Sequence, residues 1–370
     1  MKSWILISMV ALAGIHLACG KDEHKDVPIT PPKEVSFTAK DATNALNYFN
    51  KAYYDPAKKL YFPTTEKKGV AAIWTQAIYW DMIMNAYLRT GDDQWKIMIR
   101  DVFEGNYQHY DHFNWENRQV WFIHDDMMWW IISLARAYQI TGTEEYLNYS
   151  KSGFERVWNE SYDAVDGGMW WDFKKSGKNA CINFPTVIAA ATLYNITEDE
   201  MYLTKAKSIF EWGANNLYDS TKGRVADNNV NGNKGWSDYT YNQGTFIGAA
   251  TLLYKITGDS KYLGYAVKAA DYTKMSMCDG NGIMPPEGDW NEQGVLKAIF
   301  GHYIMNLVNE GKQDQYLPWL RKNINLAWGN RDAARGITYR NYNVTCPTGV
   351  VQSYESSSTV MLMQVCPPGE

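Results

Sequence analysis

Hydrophobic side chains recur three and four residues apart over most of the chain, and no sustained alternation typical of strands is present in the sequence. This pattern predicts an all-α fold. The predicted helices lie near residues 40–53, 73–89, 92–106, 125–140, 143–158, 182–196, 199–216, 241–256, 259–275, 291–309, 313–328 and 351–365.

The predicted helices alternate between two types along the chain. Even-numbered helices are apolar on nearly every side, as residues 127–132 and 246–254 illustrate, whereas odd-numbered helices carry a charged face. A helix that is apolar all round is buried all round. Six inner helices surrounded by six outer helices form an (α/α)6 toroid, so residues 37–370 are expected to fold as one domain.

A short repeat indicates how each inner helix passes to the next outer helix. The sequence Tyr-x-x-Thr-Gly-Asp at 87–92 returns in related form at 138–143, 194–199 and 254–259, with a degenerate copy at 309–312. Glycine tolerates the left-handed conformation that ends a helix, and the Asp, Thr or Glu that follows it can cap the next helix. The repeat therefore predicts tight helix-to-helix turns.

The connections that lead into the inner helices are long, and the predicted topology places all of them at one rim. They cover about 54–72, 107–124, 159–181, 217–240, 276–290 and 329–350. Loops on a rigid scaffold commonly carry function. Their aromatic side chains, beside Asn, Asp and Gln, suit the C–H faces and hydroxyl groups of a sugar, although they could instead only plug the mouth of the toroid. These aromatics include Trp115, Trp121, Trp170, Trp171, Trp236, Tyr239, Tyr241, Trp290, Tyr339 and Tyr342.

Composition narrows the class of partner. Aromatic residues make up 15% of the 370 residues, and the formal net charge is −5. Nucleic-acid binding needs clustered Lys and Arg, and the sequence has no basic run, so no nucleic-acid partner is expected. The sequence also has no histidine cluster and no phosphate-cradling glycine loop. We therefore expect neither a cofactor nor a metal.

The first residues read as a targeting segment rather than as part of the fold. A short apolar stretch ends in Leu-Ala-Cys-Gly at 17–20, which resembles a bacterial lipobox, although His16 replaces the usual aliphatic residue. This predicts a signal peptide at 1–18, lipidation of Cys19 and a flexible tether at 19–36.

The same segment predicts the location of the protein. An exported lipoprotein of the outer membrane is expected, in contact with the membrane only through its lipid anchor. Lys-Asp-Glu at 21–23 resembles signals that send some bacterial lipoproteins to the cell surface. A periplasmic orientation stays open as the alternative.

Four cysteines follow Cys19 in the sequence: Cys181, Cys278, Cys346 and Cys366. None has the C-x-x-C spacing that indicates a zinc site. An exported protein can form disulfides. A bridge between Cys346 and Cys366 and four free thiols therefore both remain open.

Two adjacent carboxylates open the fourth predicted helix. Asp125 and Asp126 precede an almost wholly apolar segment. A glycosidase needs one carboxyl that stays protonated and a second that is ionised, and two carboxyls in close contact separate their titrations in this way. The alternative is that both only cap the helix N-terminus, where negative charge is favoured. Asp92-Asp93 is expected to be such a cap.

Several motifs accompany the aspartate pair over nearly the whole mature chain. They are Trp74-x-Gln76-Ala77, Trp129-Trp130, Gly167-Gly168-Met169-Trp170-Trp171, Asn179-Ala180-x-x-Asn183 and Tyr239-Thr240-Tyr241-Asn242-Gln243-Gly244. Together they resemble glycoside hydrolase family 76, the endo-α-1,6-mannanases. One departure is Asp227-Asn228-Asn229, where the family often has Asp-Gly, and this leaves the role of Asp227 open.

The resemblance implies a retaining, endo-acting hydrolase of α-1,6-mannosidic linkages, with α-mannan polysaccharide or oligosaccharide as its partner. It implies Asp125 as the nucleophile and Asp126 as the general acid/base. Carried over to this sequence, it also implies a set of substrate-binding candidates: Trp74, Gln76, His124, Trp170, Trp171, Asn183, Asp227, Tyr239, Tyr241, Asn242 and Gln243.

Two other function classes fit parts of the sequence. A non-catalytic surface glycan-binding lipoprotein would share the export signal and the aromatics, but it has no need of Asp125-Asp126. An (α/α)6 enzyme acting on another polysaccharide, such as an epimerase or a lyase, would need His or Tyr bases, or basic residues that meet an acidic sugar. The long loops contain few Lys or Arg near the inner-helix starts. A tethered enzyme with a wide cleft is expected to be a monomer.

Overall fold

The computed structural model describes residues 36–288 and 292–369, and twelve α-helices lie within these ranges. The predicted signal peptide, Cys19 and nearly all of the tether lie outside the described residues. The helices are α1 (Ala39–Tyr53), α2 (Ile73–Thr90), α3 (Asp93–His109), α4 (His124–Thr141), α5 (Glu144–Ser161), α6 (Ala180–Thr197), α7 (Glu200–Asn216), α8 (Thr240–Thr257), α9 (Ser260–Tyr272), α10 (Leu296–Gly311), α11 (Leu317–Gly329) and α12 (Ser353–Val365).

The even-numbered helices form a closed inner ring. Each of α2, α4, α6, α8, α10 and α12 packs against the next, and α12 packs against α2. In α6 every residue from 180 to 193 is buried, whereas the outer helix α1 buries only one face. The apolar character of the even-numbered helices therefore matches their position, and the predicted (α/α)6 toroid is confirmed.

The repeated Thr-Gly-Asp sequence builds the turns from inner to outer helices. The hydroxyl of Thr90 donates to the carbonyl of Ala86 at 2.7 Å and accepts from the backbone N–H of Asp92 at 3.2 Å. Gly91 ends α2 with φ of 66°, in the left-handed region, and the Asp92 side chain caps α3 by accepting from Gln94 N–H at 2.9 Å. The predicted tight turn is confirmed, and related contacts recur after α4, α6 and α8.

Several helix boundaries differ from the sequence prediction by two or more residues, and three of them have a clear local cause. Helix α9 ends at Tyr272 rather than at 275, because the chain continues as a π-helical turn, Thr273–Met277. Helix α10 begins at Leu296, five residues later than expected, after a 3₁₀ turn. Helix α11 begins at Leu317, because Pro318 is tolerated in the first turn of a helix but not in its interior.

Very short strands lie in the long connections between helix pairs. The strands are β1 (Tyr54–Asp55), β2 (Leu60–Tyr61), β3 (Lys178–Asn179), β4 (Tyr218–Asp219), β5 (Arg224–Val225), β6 (Asn228–Val230) and β7 (Asn233–Gly235). β1 pairs with β2 and β4 pairs with β5, both antiparallel, and β3, β6 and β7 form a three-stranded sheet. This sheet joins the connection before α6 to the connection before α8, so the starts of these two inner helices are held together.

Candidate active site

A cleft of about 610 Å³ lies where the inner helices begin. Five of the six inner helices contribute side chains from their first turns or from the residues just before them. The lining residues are Ala72, Ile73, Trp74, Phe122, Ile123, Asp125, Asp126, Trp129, Trp171, Asn179, Cys181, Tyr239, Tyr241, Glu292, Gln293 and Leu296. The predicted rim of long loops therefore contains the cleft.

Asp125 and Asp126 lie in the first turn of α4 and are partly exposed to this cleft. Burial raises the pKa of Asp125 to about 6, against the lowering effect of hydrogen bonds from Cys181, Trp171 and Asp126. The donors favour the ionised carboxylate, whereas the apolar surroundings favour the neutral acid. At neutral pH the carboxylate form of Asp125 is therefore accessible inside the cleft.

Asp126 titrates differently from its neighbour. Burial raises its pKa well above the ordinary aspartate value, and the charge of Asp125, its hydrogen bond to Asp125 and the charge of Glu292 raise it further. Two carboxyls in contact cannot both ionise easily, so one of them keeps its proton. Because the pKa of Asp126 is raised further than that of Asp125, the proton of the pair is favoured on Asp126.

Four of the predicted substrate-binding aromatics line the cleft: Trp74, Trp171, Tyr239 and Tyr241. The rings of Trp74 and Trp129 have centroids 6.2 Å apart, and those of Tyr239 and Tyr241 are 6.1 Å apart. The Tyr239 hydroxyl also accepts from Gln293 Nε2 at 3.4 Å. Apolar ring faces with polar tips are the combination that sugar binding requires.

Three other candidates are buried away from the cleft and bond to the backbone. Gln76 accepts from the N–H of Tyr61 and donates to its carbonyl, both at 3.0 Å. Asn183 makes the same pair of bonds to Met169, at 2.8 and 3.1 Å. Gln243 accepts from the N–H of Val225 at 2.6 Å and donates to backbone carbonyls. In this structure these amides hold loops onto inner helices and do not face the substrate space.

His124 and Trp170 also support the cleft from behind. His124 is buried, its Nδ1 lies 3.0 Å from the carbonyl of Trp170, and its backbone N–H donates to Trp171 O at 3.0 Å. Burial lowers the pKa of His124, which favours the neutral ring. The Trp170 ring lies 4.6 Å below the ammonium of Lys178. Both residues fix the segment that presents Trp171 to Asp125.

Asp227 and Asn242 form a second supporting group. Asn242 Nδ2 donates to Asp227 Oδ1 at 2.9 Å, and the Tyr241 hydroxyl lies 3.5 Å from the same oxygen. The carbonyl of Asp227 accepts from the N–H of Ala180 at 2.8 Å. Asp227 thus joins the first turn of α6 to the first turn of α8, and it reaches the cleft through Tyr241.

The cleft contains residues that the sequence reasoning did not select: Phe122, Glu292, Gln293 and Cys181. Phe122 is 55% exposed at the mouth of the cleft. Glu292 precedes α10. It could have been selected from the sequence, because it lies at the predicted start of an inner helix.

Within the described residues, no group of three or more His, Cys, Asp or Glu side chains could hold a metal ion. Cys181, Cys278, Cys346 and Cys366 are all free thiols.

The chain is similar to proteins of one family over most of its length. Residues 37–365 match the family model described as glycosyl hydrolase family 76. The α-1,6-mannanase of Salegentibacter sp. HEL1_6 matches with a TM-score of 0.82 and 28% identity, over 88% of this chain and 98% of that one. An inactive variant of that enzyme, with two neighbouring aspartates replaced by asparagine and α-1,6-mannotriose bound, matches with a TM-score of 0.81 and 28% identity, over the same shares of the two chains.

A curated relative gives a shorter match. Mannan endo-1,6-α-mannosidase of Candida albicans is 24% identical over 212 residues, which is 49% of this chain and 46% of that protein. The match thus spans about half the length of this relative.

Proposed function

Because this chain belongs to glycosyl hydrolase family 76, we propose that it is an endo-acting mannanase that cleaves α-1,6-mannosidic linkages with retention of anomeric configuration. The observation that carries this proposal is the pair of adjacent carboxyls, Asp125 and Asp126, that lines the cleft at the start of α4. Burial raises the pKa of both, that of Asp126 well above the ordinary aspartate value. A sugar-capture protein has no need of such a pair.

The substrate class is supported by the relatives and by the chemistry of the cleft. The two solved structures described above are of one α-1,6-mannanase, in one case with α-1,6-mannotriose bound. Among the described residues that line the cleft, the carboxyl groups are Asp125, Asp126 and Glu292, and there is no Lys or Arg. Such a lining repels uronates and phosphorylated sugars, and therefore favours a neutral polymer such as mannan.

The close contact between the two carboxyls favours retention. Inverting glycosidases separate their carboxyls by roughly 6.5–9.5 Å to admit a water, whereas retaining enzymes keep them nearer to one another. Asp125 and Asp126 are near enough to share a hydrogen bond. No attacking water fits between groups in direct contact, so direct attack by one carboxylate is the favoured first step.

In the first step, Asp125 is the nucleophile and Asp126 is the acid. A carboxylate oxygen of Asp125 attacks the anomeric carbon as the glycosidic C–O bond breaks. The proton of Asp126 moves to the leaving sugar oxygen. The products are a glycosyl ester on Asp125, an ionised Asp126 and a shortened mannan chain with a free hydroxyl.

In the second step, Asp126 acts as the base. Its carboxylate accepts a proton from a water molecule, and the water oxygen attacks the anomeric carbon as the bond to Asp125 breaks. Asp125 returns to its carboxylate form and Asp126 regains its proton. Two displacements at one carbon leave its configuration unchanged.

The test is product release from linear α-1,6-mannan by the soluble protein that lacks residues 1–19. We expect oligosaccharides of mixed length early in the reaction, as internal cleavage produces. Proton NMR should reveal the α-anomer as the first product. Asp125→Asn and Asp126→Asn should each lower the rate by orders of magnitude. A folded parent that binds the polymer without cleaving it would instead identify a capture protein.

We also propose that the protein is an exported lipoprotein, anchored at Cys19 and monomeric. The support is the lipobox-like sequence at 17–20 and the acidic signal that follows it. Labelling with a radioactive fatty acid should mark the parent but not Cys19→Ser. Protease treatment of whole cells separates surface display from a periplasmic orientation, and light scattering of the soluble form measures the oligomeric state.

A further inference from the structure

Cys181 is a buried thiol that reaches the catalytic pair. It is the second residue of α6, is only 3% exposed, and lines the cleft together with Asp125. Its side chain lies beside the carboxylate of Asp125 and the hydroxyl of Tyr241 and interacts electrostatically with both. The other three free thiols in the described residues do not line the cleft.

Cys181 is held in place from both sides. The residue before it, Ala180, donates its N–H to the carbonyl of Asp227 at 2.8 Å. The Asp227 carboxylate in turn accepts from Asn242 at 2.9 Å, and the Tyr241 hydroxyl lies 3.5 Å from it. The thiol therefore lies at a fixed point between the first turns of α6 and α8, with Asp125 on the facing turn of α4.

We propose that Cys181 is a positioning residue for the nucleophile: its S–H group donates to the Asp125 carboxylate, while Tyr241, whose hydroxyl donates to Asp227 Oδ1 at 3.5 Å, lies on the other side of the sulfur. The bond orients one oxygen of Asp125 and stabilises the charged form that attacks the sugar. This inference rests on the proposed function, in which Asp125 is the nucleophile.

The charges around the thiol keep it in the donor form. Burial and the nearby carboxylates of Asp125 and Asp227 raise the pKa of Cys181 well above its ordinary value, so it remains S–H rather than thiolate. The titratable groups that face Asp125 are Asp126 on its own helix, Cys181, Tyr241, Asp227 behind Tyr241, and Glu292 before α10. Because the Cys181 thiol keeps its proton at neutral pH, it can act as a hydrogen-bond donor to the Asp125 carboxylate without adding a negative charge.

Kinetics of two substitutions test the proposal. Cys181→Ala removes the donor, so we expect kcat on linear α-1,6-mannan to fall about three- to tenfold, the range for loss of one hydrogen bond, with little change in KM. The acid limb of the kcat profile should move to higher pH, because Asp125 loses a group that favours its ionised form. Cys181→Ser restores an O–H donor and should return the limb toward that of the parent.

A control separates this role from simple packing. Cys366→Ala removes another buried thiol, at the end of α12, and should leave the pH profile unchanged. If Cys181→Ala loses stability but keeps the acid limb of the parent, or if Cys181→Ser behaves like Cys181→Ala, the thiol is a packing residue and the proposal is overturned.

An infrared measurement reads the bond without activity. The S–H stretching band of a hydrogen-bonded thiol lies below that of a free one, and the difference spectrum between the parent and Cys181→Ala isolates the band of this thiol. In Asp125→Asn the band should move toward that of a free thiol, since an amide oxygen is a weaker acceptor than a carboxylate. An unmoved band overturns the proposal. If the parent does not cleave mannan, the proposed function fails, while the infrared band still tests the contact itself.

Discussion

Asp126 donates a hydrogen bond to Asp125, so the two carboxyls at the start of α4 share one proton. Burial alone would keep both neutral, but Cys181 and Trp171 donate to Asp125 and favour its charge, whereas Glu292 disfavours charge on Asp126. Over the pH range between the two titrations the pair therefore carries a single negative charge. That is the state a retaining glycosidase needs before the first displacement.

The two aspartates should respond differently to an external nucleophile. Asp126→Asn is expected to lose at least about 10²-fold in rate on mannan, the scale of general acid/base catalysis, and to recover turnover on an aryl α-mannooligosaccharide when azide is added. Azide needs no base and can attack the glycosyl ester on Asp125. The measurement is the azide dependence of kcat together with the identification of the glycosyl azide.

Asp125→Asn supplies the comparison for this prediction. It removes the atom that attacks the sugar, so azide should not yield a retained glycosyl azide. If instead Asp125→Asn were rescued in this way and Asp126→Asn were not, the two roles would have to be exchanged.

Glu292 should set the alkaline limit of activity. Its charge raises the pKa of Asp126, so Glu292→Gln should lower that pKa and leave less of the acid protonated at high pH. The alkaline limb of the kcat/KM profile is then expected to move to lower pH, while the acid limb, which reports Asp125, stays near its parent position. Glu292→Asp keeps the charge and is the control. An alkaline limb that does not move in Glu292→Gln would mean that this charge does not reach Asp126.

Trp74 should contribute binding rather than chemistry. It lines the cleft and lies against Trp129. Loss of a large apolar side chain that the ligand buries costs about 1.5–3 kcal/mol. Trp74→Ala should therefore raise KM for mannooligosaccharides more than it lowers kcat. Trp158→Ala removes a ring from the outer helix α5, where Trp158 stacks on Tyr162, and should leave KM unchanged. Equal effects of the two variants on KM would count against a subsite at Trp74.

The helix count and the inner ring could be predicted from sequence because they depend on local patterns. Apolar positions on all sides of the even-numbered helices identify buried helices, and the Thr-Gly-Asp repeat contains the cap and the start of the next helix within six residues. Helix ends were less predictable. Helix α9 passes into the π-helical turn Thr273–Met277 without a residue in the left-handed region to mark its end, so the sequence offers no local signal for this boundary.

The site was predictable where a residue type itself carries the chemistry. Asp125, Asp126 and four aromatics do line the cleft, since their position at the start of inner helices follows from the topology. The polar residues of the motifs were harder to interpret, because an amide suits a sugar hydroxyl and a backbone group equally well. Gln76, Asn183 and Gln243 bind backbone groups inside the protein, and only the fold distinguishes the two uses.

Substitution of Gln243 should therefore lower the stability of the folded protein and leave its affinity for mannan unchanged. Its side chain bonds to Val225, Gly223 and Ala269, so Gln243→Ala leaves buried backbone groups without partners. Each such group costs about 1–3 kcal/mol. We expect a lower free energy of unfolding by urea denaturation, with KM for mannan close to that of the parent at low temperature. A raised KM at unchanged stability would restore Gln243 as a substrate contact.

The carboxyl group of Asp126 should lower the free energy of unfolding as the pH rises. In the folded protein its pKa lies well above that of an unfolded aspartate, which is about 3.9. The unfolded chain then ionises first, so the contribution of this carboxyl to stability is complete below about pH 4 and is lost as the pH rises toward the folded pKa. Asp126→Asn cannot ionise, and its free energy of unfolding relative to the parent should increase between about pH 4 and pH 7.

Asp111 provides a control, because its pKa is shifted downward whereas that of Asp126 is shifted upward. Hydrogen bonds from Asn117 and Asn114 lower its pKa, so its contribution is present above the unfolded value and is lost as the pH falls. Asp111→Asn should therefore show no change in stability relative to the parent between about pH 4 and pH 7, and should gain stability relative to the parent only as the pH falls below about 4. Urea unfolding of both variants at several pH values measures the two slopes. Parallel slopes would mean that the raised pKa of Asp126 does not exist in the folded protein, and the proton shared with Asp125 would then have to be placed elsewhere.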